Sequence, residues 1–326
     1  MTAPTFADIL AAGRRIAPHV ARTPLARSDA LSARLGAEVF LKLEHRQITG
    51  AFKLRGATNA LLALPAERRA AGVTTASTGN HGRALAHAAR AAGVRAVVCL
   101  SRLAPANKVA GVEAMGAEAR VIGASQDEAM IEARRLVAEE GMTLIPPFDH
   151  ADVVAGQGTC GLEIVEDLPG VGTVLVPLSG GGLIAGVALA VKTARPAARV
   201  IGVSMARGAA MAESLAAGHP VEVREEATLA DSLGGGIGLG NRVTFPMVRD
   251  LVDDVILLDE PEIAEGIRWA YAAEGAVIEG AAAVGIAALL AGKAAPRGPT
   301  VALLSGRNID MELHRRIVCS DTPWEG

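Results

Sequence analysis

The chain has 326 residues, half of them hydrophobic, and a net charge of −3, so it can bury a sizeable core without staples, as one large domain or two ordinary ones. Cys99, Cys160 and Cys319 lie far apart and form no Cys-x-x-Cys pair, which argues against a disulfide framework or a zinc site and fits a reducing, cytoplasmic setting. Basic runs, a basic-then-apolar leader and apolar stretches of membrane-span length are all absent, so nucleic acid and membrane are poor partners and no signal peptide is expected.

In chain order, short β-branched runs alternate with longer, alanine-rich amphipathic runs. The spacing predicts strand Val39–Glu44, helix Ala51–Leu64, strand Val73–Ser77 and helix Gly82–Ala92. Strand Arg95–Leu100, helix Asn107–Met115, strand Ala119–Ile122, helix Gln126–Glu140 and strand Thr143–Pro146 follow. The second half gives helix Val153–Leu168, strand Val174–Leu178, helix Leu183–Thr193 and strand Arg199–Ser204. Helix Ala276–Leu290 and strand Val301–Leu304 come last. Strands spaced by helices mean βαβ units and parallel sheets, an α/β fold. Composition marks no linker. Ala70-Ala71-Gly72 and Pro146-Pro147 are the nearest boundary hints, bracketing a compact four-strand unit inserted in a larger sheet. The expected division is a large domain of residues 1–71 and 148–326 and a small domain of residues 72–147.

Open parallel sheets bind ligands beyond the carboxyl ends of their strands. Three marked loops fall there: Ser77-Thr78-Gly79-Asn80-His81-Gly82, Ser179-Gly180-Gly181-Gly182-Leu183 and Leu304-Ser305-Gly306-Arg307-Asn308. A fourth segment, Thr49-Gly50-Ala51-Phe52-Lys53-Leu54-Arg55-Gly56-Ala57, opens a helix. The glycines at 180, 181 and 182 let backbone amides approach a phosphate at a helix start, or make a tight turn with no ligand. Their spacing is neither Gly-x-Gly-x-x-Gly nor a P-loop, which argues against a nucleotide-binding oxidoreductase on the same sheet. Lys53 lies among Phe52, Leu54 and Gly56. Apolar neighbours disfavour its charged form, which suits a nucleophile and base; a solvated helix lysine is the plainer alternative. Ser77, Thr78, Asn80 and His81 can grip a carboxylate or a ring hydroxyl, or simply cap a helix. Glu279, inside an apolar helical run, is expected to be buried and paired. A lysine amine able to form a Schiff base, a phosphate cradle and two polar clamps are the parts a pyridoxal phosphate enzyme needs.

On Lys42-Leu43-Glu44 with Thr49–Ala57, Ser77–Gly82, Val154-Ala155-Gly156-Gln157-Gly158-Thr159, Ser179–Leu183 and Ser305, the chain resembles the fold-type II pyridoxal phosphate enzymes of the threonine dehydratase and serine racemase group. The likeness runs from about Thr23 to Arg307. Cys99–Val109 and Asp231–Gly238 look most like the hydroxyectoine-utilisation dehydratases and the similar β-hydroxyaspartate dehydratases. The resemblance implies two open, mostly parallel twisted sheets flanked by helices, the tryptophan synthase β-like arrangement, and a homodimer. It implies that Lys53 carries pyridoxal 5'-phosphate and takes the α-proton of a small amino-acid substrate. Phe52, Asn80, Gly180, Gly181, Gly182, Leu183, Glu279 and Ser305 would hold the cofactor, with Asn80 on the ring hydroxyl and Ser305 on the pyridine nitrogen. Ser77, Thr78, Gly79 and His81 would hold the substrate, with Thr78 also catalytic.

A serine does not keep the pyridine nitrogen protonated, which favours prompt loss of a β-hydroxyl over a long-lived carbanion. The implied activity is dehydration of a β-hydroxy amino acid to a keto acid and ammonia. A serine or threonine dehydratase, an amino-acid racemase and a non-catalytic binding protein stay open. Two features depart from the group. Ser204–Ala210 lacks the carboxylates of a metal site, so no metal is expected, and Gly234-Gly235-Gly236 stands where relatives place a polar residue. Arg55, Arg83, Arg102, Arg207 and Arg242 are candidates to grip a second substrate carboxylate.

Overall fold

The computed structural model describes residues 2–77, 79–104 and 106–319, without the side chains of Asn107, Gln126 and Asp127. Its strands are β1 (Leu25–Arg27), β2 (Val39–Lys42), β3 (Val73–Ala76), β4 (Ala96–Leu100), β5 (Glu118–Val121), β6 (Thr143–Leu144), β7 (Thr173–Pro177), β8 (Arg199–Met205), β9 (Asp254–Leu258) and β10 (Thr300–Leu303). They form one sheet in the order β1-β2-β10-β7-β8-β9 and a second in the order β5-β4-β3-β6. Every pairing is parallel except β1 with β2. The register sets Thr300 beside both Val39 and Thr173, and Val73 beside both Ala96 and Thr143.

Central strands of parallel sheets are covered on both faces and read as continuous apolar runs. β4 and β7 are buried at every residue. On the larger sheet, Ala281–Leu289 and Ile263–Ala270 pack one face, and Val154–Ile164 with Leu183–Val191 pack the other. On the smaller sheet, Leu54, Ala57 and Leu61 meet Ala84, Leu85 and Val98, while Ala129, Ala133 and Leu136 cover Val97 and Cys99. The helix Lys53–Ala63 therefore lies between the sheets. A methyl on Gly156 would come within 2.7 Å of Gly56 Cα, and one on Gly186 within 2.6 Å of Gly158 N. These close helix crossings account for a core built from alanine and glycine with few aromatics. Among the described residues no helix is long and apolar enough to cross a membrane.

The α/β architecture is as the alternation of runs predicts, with local differences. The last predicted helix begins at Gly280 rather than Ala276, so Glu279 precedes the helix instead of lying within it. Its extended backbone (φ −77°, ψ 159°) sends its N–H to Gly306 O, 3.1 Å. The helices Phe6–Ile16 and Glu260–Glu274 lie outside the predicted elements, as does β9. β9 is a partly exposed edge strand, and its polar start dilutes the apolar run.

Candidate active site

Lys53 is the first residue of its helix, and the turn before it is tied to the strand-end loop after β10. Phe52 N donates to Ser305 O (3.0 Å), Arg307 N to Gly50 O (2.9 Å), and Ala51 bridges Gly306. The ammonium donates to Pro147 O (2.7 Å) and lies 5.3 Å from the Phe52 ring centre. Burial pulls this amine down to about 8, against the Glu279 charge, which works to raise it. A lysine so placed is partly neutral near neutral pH, the state in which it can act as nucleophile or base.

The helix is anchored by buried charges. Arg55, fully buried, donates to Glu44 Oε1 and Oε2 (2.8 Å each), to Glu163 Oε1 (2.6 Å) and Oε2 (2.9 Å), and to Thr159 Oγ1 (3.0 Å). Lys42, also fully buried, donates to Glu163 and to Thr23 O. Two cations and two anions thus pair off away from water, fixing the first turn after Lys53. Burial is the largest single influence and works to raise the Glu44 carboxyl, but the Arg55 charge and hydrogen bonds, the Lys42 charge and the Thr23 hydroxyl together outweigh it and the net direction is down. Arg55 is committed here and is not free for substrate, which removes it from the carboxylate-gripping candidates. Arg102, Arg207 and Arg242 are exposed, and Arg83 lines a cavity of about 400 Å³ with Lys108 and Arg307.

Asn80 opens the helix Asn80–Ala91 and is clamped from two sides. Its Nδ2 donates to Glu279 Oε1 and Oε2 (2.8 and 3.1 Å), and its Oδ1 accepts from Asn308 Nδ2 (2.6 Å). Asn308 also donates through Nδ2 to Thr49 O and through its backbone N to Glu279 Oε2. Burial raises the Glu279 carboxyl to about 7; the Asn80 hydrogen bond opposes this and the Asp231 charge adds to it. Asn308 was not singled out from sequence, although it closes the Ser305 loop. Only its 228-residue separation from Asn80 conceals the pairing.

Ser77 Oγ accepts from Gly79 N (3.4 Å) and Gly82 N (3.3 Å), which leaves its hydroxyl proton to donate. His81 is buried. Burial first and the Lys53 charge second hold its ring neutral, at about 3. Its Nε2 donates to Ile145 O (2.9 Å), and its Nδ1 is buried with no partner among the described residues. The ring therefore presents an acceptor, and toward an anion the residue has only its backbone N–H. Thr78 lies outside the described residues.

After β7, Gly181 takes a left-handed backbone (φ 86°) and the helix Gly182–Ala194 begins with no side-chain cap. The orphan amides of a helix start, including Leu183, are donors that a phosphate satisfies. Ser305 is buried and spends its carbonyl on Phe52, leaving a hydroxyl as its free polar group. Lys53, the Asn80–Glu279–Asn308 cluster, the Ser305 loop and the uncapped glycine helix fit an aldehyde-bearing aromatic phosphate, with a neutral hydroxyl for its ring nitrogen.

Residues 16–306 match the family described as pyridoxal-phosphate dependent enzyme. A Sinorhizobium fredii protein provisionally named threonine dehydratase is 61% identical over 94% of this chain and 93% of its own length. The L-threonine ammonia-lyase of Thermotoga maritima is 41% identical over 96% of this chain and 78% of its own. The structure of maize serine racemase superposes with a TM-score of 0.91 at 37% identity, covering 96% of each chain.

Proposed function

Because this chain belongs to the pyridoxal-phosphate dependent enzymes, with pyridoxal 5'-phosphate as its cofactor, we propose that it is a carbon–nitrogen lyase that removes water from a β-hydroxy amino acid and yields a keto acid and ammonia. The observation that carries this reading is Lys53, its buried amine depressed to about 8 and coupled by charge to Glu279 of the Asn80–Glu279–Asn308 cluster. When bound, the cofactor withdraws electrons from the substrate α-carbon, which makes its C–H bond acidic. Lys53 anchors the cofactor and then, as a neutral amine, accepts the α-proton. The amides of Gly180, Gly181, Gly182 and Leu183 hold the phosphate, Asn80 the ring hydroxyl and Ser305 the ring nitrogen, with Phe52 beside Lys53. Glu279 holds Asn80 in place. Ser77 and the backbone of Gly79 and His81 donate to the substrate carboxylate, alongside Thr78.

For the substrate we infer a β-hydroxy amino acid larger or more polar than serine, in hydroxyectoine or β-hydroxyaspartate breakdown. A Cβ at Gly235 meets nothing within 4 Å, and one at Gly236 meets only Gly238 N at 4.0 Å, so no neighbouring group crowds this glycine loop. The resemblance of Asp231–Gly238 points the same way. The names of the Sinorhizobium and Thermotoga relatives favour threonine instead, and the maize enzyme keeps racemisation in view. The small unit of residues 72–147, a homodimer and a cytoplasmic location complete the proposal.

The test is a panel of β-hydroxy amino acids assayed for keto acid, ammonia and change of enantiomer. Loss of one paired carboxylate contact costs a few kcal/mol, so serine should trail β-hydroxyaspartate by roughly two to three decades in kcat/KM. Threonine or serine turned over at least as well as β-hydroxyaspartate defeats the substrate assignment. Racemisation without keto acid defeats the lyase.

A further inference from the structure

Three successive residues between β6 and the helix Ala151–Asp167 touch both halves of the site. Pro147 O accepts from Lys53 Nζ (2.7 Å). The Phe148 ring lies against the glycine loop: a methyl on Gly180 would sit 2.5 Å from Phe148 Cγ, and one on Gly182 3.0 Å from Phe148 Cα. Asp149 accepts three backbone N–H groups, from Val243 (2.8 Å) and Thr244 (2.9 Å) at Oδ1 and from Arg242 (3.0 Å) at Oδ2. Thr244, fully buried, then donates its hydroxyl to Gly180 O at 2.7 Å, and that hydroxyl accepts from Asn241 Nδ2 at 2.7 Å.

The last link has a geometric consequence. Gly180 C=O and Gly181 N–H belong to one planar trans peptide and point in opposite directions. A peptide between two glycines has little intrinsic preference for either flip. Holding Gly180 O on Thr244 aims Gly181 N–H away from Thr244 and fixes one amide of the uncapped helix start. We propose that Asp149 is a positioning residue for the phosphate-binding amides, acting through Thr244 on the Gly180–Gly181 peptide. This rests on the reading of Gly180–Leu183 as a phosphate cradle.

The experiment compares pyridoxal 5'-phosphate with pyridoxal, which lacks the phosphate, in titrations of the cofactor-stripped full chain followed by the visible absorbance of the bound form. An oriented hydrogen bond to a charged group makes Thr244→Val bind pyridoxal 5'-phosphate about tenfold or more weakly, with pyridoxal binding changed less than about twofold. Thr244→Ser retains wild-type affinity. Asp149→Asn weakens phosphate-dependent binding in the same sense, and the double variant is no weaker than Thr244→Val alone, because both act on one peptide. Asp149 is only half-buried, so Asp149→Asn reads the chain even if Thr244→Val fails to fold. Equal weakening of both ligands, unchanged affinity in Asp149→Asn, or additive losses in the double variant overturn the proposal. A wild-type chain that binds neither ligand overturns the cofactor-site reading beneath it.

Discussion

Glu279→Gln separates an electrostatic account of the site from a purely steric one. The Glu279 carboxylate is buried, accepts from Asn80 and from Asn308 N, and has its carboxyl raised to about 7. Raising a carboxyl from 4.5 to about 7 corresponds to roughly 3 kcal/mol, at about 1.4 kcal/mol per factor of ten. Since the folded value lies above the unfolded one, the stabilisation is fully present below pH 4.5 and is lost as pH rises through about 7. Glutamine keeps an acceptor for Asn80 and does not titrate. Thermal melting of the cofactor-free chain from about pH 4 to about pH 8 should show the variant gaining on the wild type as pH rises. Roughly 3 kcal/mol translates to a gain of about 5 °C. The charge that works to raise the Lys53 amine disappears too, so the pH of half-maximal cofactor uptake should move down from about 8. A melting difference independent of pH, or an uptake midpoint that moves up, would mean that the Glu279 charge does not act on the site.

Further outcomes follow from other parts of the molecule. Arg55→Met leaves Glu44 and Glu163 buried with only Lys42 to balance them, and should cost about 3–5 kcal/mol in denaturant unfolding; a loss below about 1 kcal/mol would mean that water reaches the cluster. Chelators should leave turnover largely intact, because Ser204–Ala210 offers no carboxylate to a hard cation. Metal-reversible loss of activity in a chelator titration would show that oxygen ligands lie elsewhere.

The alternation of runs was enough to read the parallel sheets, because strands buried on both faces must be apolar throughout and their helices amphipathic. The glycine helix start and the loops at strand ends were legible for the same local reason. What sequence hid is non-local. Of the two carboxylates that commit Arg55, Glu163 stands 108 residues away, although Glu44 is only 11 residues off, and the Asp149–Thr244 link spans 95. The apolar run continues through Glu279, so the sequence places it within a helix. The structure breaks the run to return Glu279 N–H to Gly306. Other gaps were readable. Thr5 with Asp8 and Asp259 with Glu262 form capping boxes at three-residue spacing, a signal for the helices Phe6–Ile16 and Glu260–Glu274.

Lys53, on this reading, holds the cofactor covalently and does the proton chemistry. Borohydride reduction of the holoenzyme, followed by peptide mass mapping, locates the covalent bond. A pyridoxyl adduct is expected on the peptide bearing Lys53, and a Lys53→Ala chain should stay folded, take no adduct and lose turnover by many orders of magnitude. An adduct on Lys42, Lys108, Lys192 or Lys293 instead, or near-normal turnover by Lys53→Ala, would contradict it.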